Sequence, residues 1–212
     1  MHSAQLVHIT PDAEKLVAKL ARVSNPSNED NEETAPRLIR YLIKHRHWSP
    51  MEMVSMCCEI KTTRSIAAQI LRHRSFSYQE FSQRYSSVTE VPKAPKLRRQ
   101  DTKNRQNSVD DLNQFTVQDF QLKASQLFEM SQHLYQEMLT AGVAKECARE
   151  VLPLATPTRL YMHGTLRSWL HYCDLRCGNG TQAEHKQIAD SVKAIIFEQT
   201  PDIAKAMWGE VS

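Results

Sequence analysis

The sequence is poor in glycine and aromatic residues and has no long apolar run. Its five glycines among 212 residues are not arranged as G-x-G-x-x-G, so a Rossmann nucleotide site is not expected. Aromatic residues make up only 7% of the chain. No window approaches the roughly 18 apolar residues of a membrane span, and the first ten residues lack the basic and apolar regions of a signal peptide. We therefore expect a cytoplasmic protein with no membrane partner.

Cysteine and net charge are also limited. The five cysteines are an odd number without a repeating pair spacing, which favours reduced thiols over a disulfide framework. The net charge of +3 is too small to indicate nucleic acid as a partner. The charge is uneven, however, because residues 69–100 contain seven basic and two acidic residues, a local balance of +5. That balance predicts an anionic ligand.

The pattern of apolar and turn-forming residues predicts one helix-rich domain of the α+β class over residues 1–212. Residues 51–60 have the alternation of a strand, and 75–89 are typical of a loop running into another strand. The polar, proline-bearing residues 91–113 are interpreted as a mobile insertion, named the insertion below. Helices are predicted at about 11–23, 34–44, 63–73, 115–141, 144–152, 156–175 and 181–200.

The stretch Arg72 to Ser86, RHRSFSYQEFSQRYS, carries the strongest functional signal. Clustered arginines at a helix end can simply complement the helix dipole and face water. Here Gln69 lies one turn earlier, Glu80 precedes Arg84 by four residues, and serines are interleaved with the charges. A nucleotide monophosphate needs multiple N–H donors at its phosphate and a carboxylate for a ribose hydroxyl. The stretch therefore indicates a nucleotide pocket.

The same stretch resembles the flavin-dependent thymidylate synthases, whose pattern is R-H-R, two residues, Ser, and then typically N-E-x-S-x-R-Y. Residues 47–52, HWSPME, are similar to the family's upstream H-x-[ST]-P-x-E segment. Further matches in the family's order and spacing are residues 148–153, Thr158, 166–169, 175–176 and 182–184. Departures include Gln79 for the usual Asn, Gln83 for a frequent Gly, and Gly180 for a polar residue.

The resemblance implies the fold of that family, a small central, mostly antiparallel sheet flanked by helices. It implies conversion of dUMP to dTMP, with methylenetetrahydrofolate as carbon donor, FAD as cofactor and NADPH as reductant. It also implies a homotetramer whose active sites are shared between subunits. The flavin supplies the redox chemistry, and the protein supplies orientation and charge.

The resemblance assigns site residues to both ligands. Arg176 is expected to stabilise the anionic form of the pyrimidine and is the catalytic candidate. The dUMP residues are Gln69, Ile70, Leu71, Arg72, Glu80, Phe81, Ser82, Gln83, Arg84, Arg149 and Arg176. The FAD residues are His47, Ser49, Arg72, His73, Arg74, Ser75, Glu80, Thr165, Leu166, Arg167 and His171.

Other interpretations of these residues were weighed. Ser82 has no paired base in the sequence, and Cys57 and Cys58 lie in an apolar strand, so neither is favoured as a nucleophile. The pair His45 and His47 lacks further ligands for a metal. A nucleic-acid-binding module using Arg72 to Arg99 explains the charge but not the spacing of the distant segments. An inactive family member is disfavoured because the arginines, Glu80 and Ser82 are all present.

Overall fold

A computed structural model describes residues 2–210. The sheet strands are β1 (Ser3–Ile9), β2 (Ser55–Thr63), β3 (Ser77–Glu80) and β6 (Pro157–Thr165), and a small hairpin holds β4 (Arg99–Gln100) and β5 (Ser108–Val109). The helices are α1 (Ala13–Ala21), α2 (Ala35–Lys44), α3 (Arg64–Ile70), α4 (Gln114–Thr140), α5 (Lys145–Ala148), α6 (Leu166–Arg176), α7 (Ala183–Gln199) and α8 (Pro201–Trp208). Short 3-10 turns lie at Pro26–Asn28, Ser49–Glu52 and Arg149–Val151.

The sheet has the order β1-β2-β6-β3, and every neighbouring pair is antiparallel. This confirms the α+β class and the helix-flanked antiparallel sheet. One face of β2 and β6 is fully buried through Met56, Ile60, Leu160 and Met162. Trp169 of α6 packs into the same core and donates its indole N–H to the Met56 carbonyl at 2.9 Å. Helices α6, α7, α2 and α8 complete the core around this face.

The helix predicted over 156–175 is wrong in its first half, because Pro157–Thr165 is the central strand β6. Burial there alternates strictly, with Thr158, Leu160, Met162 and Gly164 pointing inward. A period of two residues is the mark of a strand, and Pro157 opens it at the one position where a strand tolerates proline. Only the part of the predicted helix from Leu166 onward is helical, as α6.

Gly164 brings the segment before β3 against the sheet. A Cβ on Gly164 would lie 2.5 Å from the Phe76 ring, which is too close for any side chain. The ring instead packs edge-on against Trp169 at 4.7 Å between centroids. Glycine in a strand often marks such a close approach. The close contact of Phe76 with Gly164 and Trp169 fixes the position of residues 72–76 on the core.

Several elements begin or end at residues other than those predicted. The strand predicted at 51–60 begins later, at Ser55, after a 3-10 turn, and helix 63–73 ends at Ile70. The strand within 75–89 is Ser77–Glu80, whereas Ser82 accepts hydrogen bonds from the Tyr85 and Ser86 amides in a turn. Strand β1 and helix α8 were not predicted. Helix α7, predicted to begin with a capping box at residues 181–184, has Gln182 as its N-cap and no side-chain capping hydrogen bond.

Helices α1, α2 and α4 follow their predictions closely, and Gly142 has a φ of 84° after the end of α4. The insertion contains the β4–β5 hairpin and is tied to the rest of the chain. Arg98 donates to Glu184 of α7, and Gln121 of α4 donates to the Pro95 carbonyl. No helix within residues 2–210 is long and apolar enough to cross a membrane.

Candidate active site

A cavity of about 770 Å³ lies between the turn that follows α2 and helix α6. Its polar wall includes three residues predicted to bind FAD, namely Ser75, Arg167 and His171. Its apolar wall includes Ile43, Trp48, Leu170 and Met207. Ligand sites for ring systems combine apolar walls with placed polar groups. Four of the eleven lining residues are apolar and four are charged (Arg46, Glu52, Arg167 and Asp174), so the cavity offers apolar contacts for a ring system and cations for an anionic group.

The turn beside this cavity is held in an unusual backbone conformation. Arg46 has a φ of 57°, in the left-handed region that a side chain rarely adopts. The His47 amide donates to the Leu42 carbonyl at 2.8 Å, which closes α2 and turns the chain toward Trp48. His47 is exposed and lies edge-on to Tyr41, with ring centroids 5.9 Å apart. Ser49 begins the following 3-10 turn and is exposed.

Helix α6 starts at the predicted flavin segment. Thr165 caps it by accepting from the Ser168 amide at 3.3 Å. Arg167 is ion-paired with Glu52, which lies in the same cavity wall. Leu166 is fully buried in the core, and its amide donates to the Val54 carbonyl. Its side chain cannot reach a ligand, so among these three residues Thr165 and Arg167 remain as candidates for side-chain contacts.

Arg176, the catalytic candidate, lies at the end of α6 against His73. Its Nε donates to His73 Nε2 at 2.9 Å. Burial, with the charge of Arg176, lowers the pKa of His73 to about 4, so the ring is neutral and accepts this hydrogen bond. The contact fixes the plane of the guanidinium while leaving its two terminal nitrogens uncommitted to His73.

The segment 70–74 is fixed by Tyr78, whose hydroxyl lies 2.9 Å from both the Ile70 and His73 carbonyl oxygens. Burial raises the pKa of Tyr78 to about 12, so it stays protonated and donates. Ile70 itself is fully buried, and its side chain cannot contact dUMP as predicted. Leu71, Arg72 and Arg74 are exposed. The two arginines form no ion pair within residues 2–210.

Glu80, predicted for both ligands, lies at the far end of β3. It accepts from Arg64 at 2.5 Å and from the Thr158 hydroxyl at 2.9 Å. Its side chain is 19% exposed, so the carboxylate is oriented before any ligand arrives. The sequence reading missed Arg64, although it stands at the start of a predicted helix facing Glu80. Thr158 was matched to the family but given no role.

The turn after β3 carries the remaining dUMP candidates. Phe81 donates its amide to the Arg159 carbonyl and packs on a second small core with Val88 and Tyr135. Ser82 is exposed, whereas Gln83 is 6% exposed and its Nε2 has no hydrogen-bond partner within the described chain. The side chain of Gln83 therefore points inward.

Arg84 contacts the segment that carries Arg149. Its Nε donates to Glu146 at 3.1 Å, and Glu146 lies in α5, three residues before Arg149 in the following 3-10 turn. Arg149 is also 3.4 Å from Glu150. Both ion pairs are partly or largely exposed, so they are weak. The tertiary structure thus places Arg84 against the segment that holds Arg149, although the two arginines are 65 positions apart in the sequence.

The predicted residues do not form a single cluster within one chain. Residues 72–75 and Arg176 lie at the beginning of β3, and we call this the His73 end. Glu80, the following turn and Arg149 lie at the other end, which we call the Glu80 end. The four-residue strand separates the two ends by roughly 10 Å.

The remaining candidate chemistries find little support in the geometry. Burial raises the pKa of Cys58 to about 12 and also raises that of Cys57, which keeps both thiols protonated at neutral pH. Among residues 2–210, no group of three or more His, Cys, Asp or Glu side chains is arranged to hold a metal ion.

Comparison with known proteins gives a consistent result. The family model described as thymidylate synthase complementing protein matches residues 5–202. The probable flavin-dependent thymidylate synthase of Paramecium bursaria Chlorella virus 1 is 49% identical over 97% of this chain and 98% of its own. The flavin-dependent thymidylate synthase of Synechocystis sp. is 50% identical over 92% of this chain and 89% of its own.

Solved structures agree at the level of the fold. The UMP/dUMP methylase PolB from Streptomyces cacaoi, bound with 5-Br dUMP, superposes with a TM-score of 0.85 at 28% identity. The match covers 97% of this chain and 94% of that chain. A second structure of PolB, bound with 5-Br UMP, gives a TM-score of 0.84. With a family model spanning most of its length and relatives near half identity, this chain belongs to the family of the flavin-dependent thymidylate synthases.

Proposed function

We propose that this protein methylates dUMP to dTMP, with FAD as its cofactor and methylenetetrahydrofolate and NADPH as co-substrates. The observation that carries the proposal is the contact between Arg176 and the neutral His73. It presents a guanidinium of fixed orientation beside exposed Arg72, in the segment that resembles the family. The names of the most similar relatives support the same activity.

The cavity beside α6 is the proposed flavin site. Ser75, Arg167 and His171 would hold the polar groups of the cofactor, and Trp48 and Leu170 would contact its ring system. When bound, the flavin supplies the hydride that the methylation requires. The protein contributes a cavity with four charged lining residues, of which Arg167 and Glu52 are ion-paired with each other and Asp174 accepts from Trp208.

The pyrimidine would lie at the His73 end. The positive charge of Arg176 favours the anionic form of the base and so raises electron density at the carbon that accepts the methylene. His73 cannot compete as a cation at neutral pH, because its pKa is lowered to about 4. No thiolate is needed for this activation, which agrees with the protonated state of Cys57 and Cys58.

The ribose and phosphate require the groups of the Glu80 end. Glu80 is held by Arg64 and Thr158 with its carboxylate ready to accept from a ribose hydroxyl. Arg84 and Arg149 would bind the phosphate, with the Ser82 hydroxyl and the turn backbone, and Arg72 would contact the nucleotide from the His73 end. Arg84 can exchange its exposed contact with Glu146 for a phosphate at little cost in stability.

We also propose that the active enzyme is a homotetramer in which neighbouring copies supply the two ends. Within one chain β3 keeps these ends apart, which supports a shared site. Helix α4 supports an assembly as well, since three of its 27 residues are buried. Its exposed side chains include Phe120, Leu127, Met130 and Leu134, a spacing that forms one apolar stripe. Light scattering of the FAD-loaded protein would measure the assembly.

One experiment tests the activity. The purified protein should absorb between about 350 and 500 nm once loaded with FAD, and it should release tritium from dUMP labelled at the methylated carbon when both co-substrates are present. UMP should be assayed in parallel, because PolB carries both nucleotides in its name. A protein that takes up no FAD and releases no tritium from either nucleotide would contradict the proposal.

A further inference from the structure

A row of hydrogen bonds runs from the insertion to the His73 end. Arg98 donates to both Glu184 oxygens at 2.7 and 2.8 Å, and Gln182 Nε2 donates to Glu184 Oε2 at 3.0 Å. Gln69 Nε2 then donates to Gln182 Oε1 at 2.7 Å. The Oε1 of Gln69 lies 3.3 Å from His185 Nδ1, and His185 Nε2 lies 3.1 Å from the Tyr172 hydroxyl.

The carboxylate of Glu184 fixes the direction of every bond in this row. A carboxylate only accepts, so Gln182 must turn its NH₂ toward it and its oxygen toward Gln69. Gln69 must then turn its own NH₂ toward Gln182 and its oxygen toward His185. His185 therefore carries its proton on Nδ1, and Nε2 accepts from Tyr172. One charge thus determines two amide orientations and one imidazole tautomer.

Burial strengthens this arrangement. His185 and Tyr172 are fully buried, and the Arg98 and Glu184 side chains are 14% and 18% exposed. Burial lowers the pKa of His185 to about 4 and raises that of Tyr172, so both are neutral at neutral pH. The Tyr172 ring also contacts His73, with centroids 5.0 Å apart. The His185 part of the row is therefore held more firmly than it would be in water, whereas Gln182, which joins Gln69 to Glu184, is exposed.

Gln69 is the member of the row that the family resemblance assigns to dUMP. The row uses one of its two amide N–H groups and leaves the other available. If His185 were absent, only the exposed Gln182 would hold the carboxamide, so its rotation to present the oxygen in place of that N–H would be easier. The orientation of a predicted dUMP contact is therefore set by residues that do not touch the nucleotide.

We propose that His185 and the Glu184–Arg98 ion pair are positioning groups that hold the Gln69 carboxamide in one orientation for the pyrimidine nucleotide. The inference rests on the proposed function, in which Gln69 contacts dUMP. It gives the insertion a role in the site through Arg98, and it gives His185 a role beyond packing in the core.

Two substitutions of His185 separate its two hydrogen bonds. The asparagine amide nitrogen is two bonds from Cβ, as is His Nδ1, so His185→Asn retains the donor to Gln69. The glutamine amide is three bonds away, like Nε2, so His185→Gln retains only the contact with Tyr172. We expect the dissociation constant and KM for dUMP to rise about tenfold in His185→Gln and less than about twofold in His185→Asn. In both variants kcat should change little.

A matched pair of variants tests the other end of the row, at Arg98. Arg98→Gln removes the ion pair with Glu184, whereas Lys96→Gln removes the exposed ion pair with Asp110 in the same insertion. We expect the KM for dUMP to rise several-fold in Arg98→Gln and to stay unchanged in Lys96→Gln. Equal effects in both variants would mean that Arg98 acts only by stabilising the insertion.

A spectroscopic measurement on the wild-type holoenzyme does not depend on how the variants fold. Nitrogen NMR of ¹⁵N-histidine-labelled protein should show His185 as a neutral ring with the proton on Nδ1 at neutral pH. A protonated ring or a proton on Nε2 would overturn the inference, as would equal dUMP affinity in the Asn and Gln variants. A wild-type holoenzyme that binds no dUMP by calorimetry would instead contradict the proposed function.

Discussion

The two ends of β3 are built in different ways. At the His73 end, Arg176 and His73 are half-buried and hydrogen-bonded to each other, and the neighbouring His185 and Tyr172 are fully buried and hydrogen-bonded to each other. At the Glu80 end, Glu80 and Gln83 lie largely inside, whereas Arg84 is 68% exposed in its ion pair with Glu146. The first end thus holds an oriented pair beside the exposed Arg72 and Arg74, whereas at the second end Arg84 is held only by an exposed ion pair. In the proposed complex the base would lie against the oriented pair and the phosphate against the exposed cations.

The largest effect is expected from Arg176→Lys. Lysine keeps the charge but loses the planar group and the Nε that donates to His73. We expect kcat in the tritium-release assay to fall about 100-fold, the scale seen when one oriented donor is removed from an active site. The control is Arg99→Lys on the exposed hairpin, which should leave kcat unchanged. Wild-type turnover in Arg176→Lys would remove Arg176 from its catalytic role.

A smaller effect is expected at the Glu80 end from Glu80→Gln. The amide would lose the charge-assisted bond from Arg64 and bind a ribose hydroxyl less well, so kcat/KM for dUMP should fall about tenfold or more. Thr158→Val keeps Arg64 in place and removes a single neutral hydrogen bond, so it should reduce kcat/KM by about fivefold or less. An equal loss in both variants would mean that the Glu80 charge is not used.

The buried histidines predict a pH dependence of stability. Burial lowers the pKa of His73 and His185 to about 4, below the value of 6.5 expected in the unfolded chain. As the pH falls through 6.5, the unfolded state therefore binds protons that the folded state does not bind. The free energy of unfolding should fall from about pH 6.5 toward pH 4, as measured by urea unfolding. His185→Gln should make that decline shallower, and an unchanged slope would indicate that His185 is charged when folded.

The smallest effect is expected from Glu146→Gln. This removes an exposed ion pair from Arg84, so the free energy of unfolding should change by less than about 0.5 kcal/mol. Affinity for dUMP should stay the same or increase slightly, because Arg84 no longer has a competing carboxylate. Calorimetry and urea unfolding measure the two quantities, and a large loss of stability would show that the Glu80 end is as firmly organised as the His73 end.

Much of the fold followed from local patterns, but the sheet did not. Helices α1, α2 and α4 have strong apolar periods and clear stop signals, so their positions were predicted. The sequence predicts a helix over strand β6, because Thr156-Pro157 is also a helix-start signal and the strand runs directly into α6. Strand β1 gives no usable signal, since it is an edge strand whose exposed residues include Val7 beside Gln5 and His8, and its pairing with β2 shifts register between Leu6 and His8. Such strands are stabilised by pairing with β2, which lies far away in the sequence.

Part of the site was similarly open to prediction. The residues from Arg72 to Arg84 could be identified as a ligand site from their mixture of charged, amide and hydroxyl groups. The supporting residues Arg64, Tyr172 and His185 could not be identified in this way, because they are ordinary members of helices in the sequence. Their roles depend on which atoms they meet after folding. Ile70 and Leu166 show the reverse case, since their neighbours suggested a ligand contact and their side chains are buried.

The sequence by itself determined the chemistry available to this protein, namely a basic, amide-rich segment that resembles one family, together with distant arginines and no glycine-rich nucleotide loop. Those features depend on residue identity and short spacing, which a sequence states directly. Only the tertiary structure decided that His73 is neutral, that Gln69 is oriented through His185 and Glu184, and that β3 separates the two ends. Burial, hydrogen-bond direction and distance arise from contacts between segments far apart in the chain, and local sequence does not encode them.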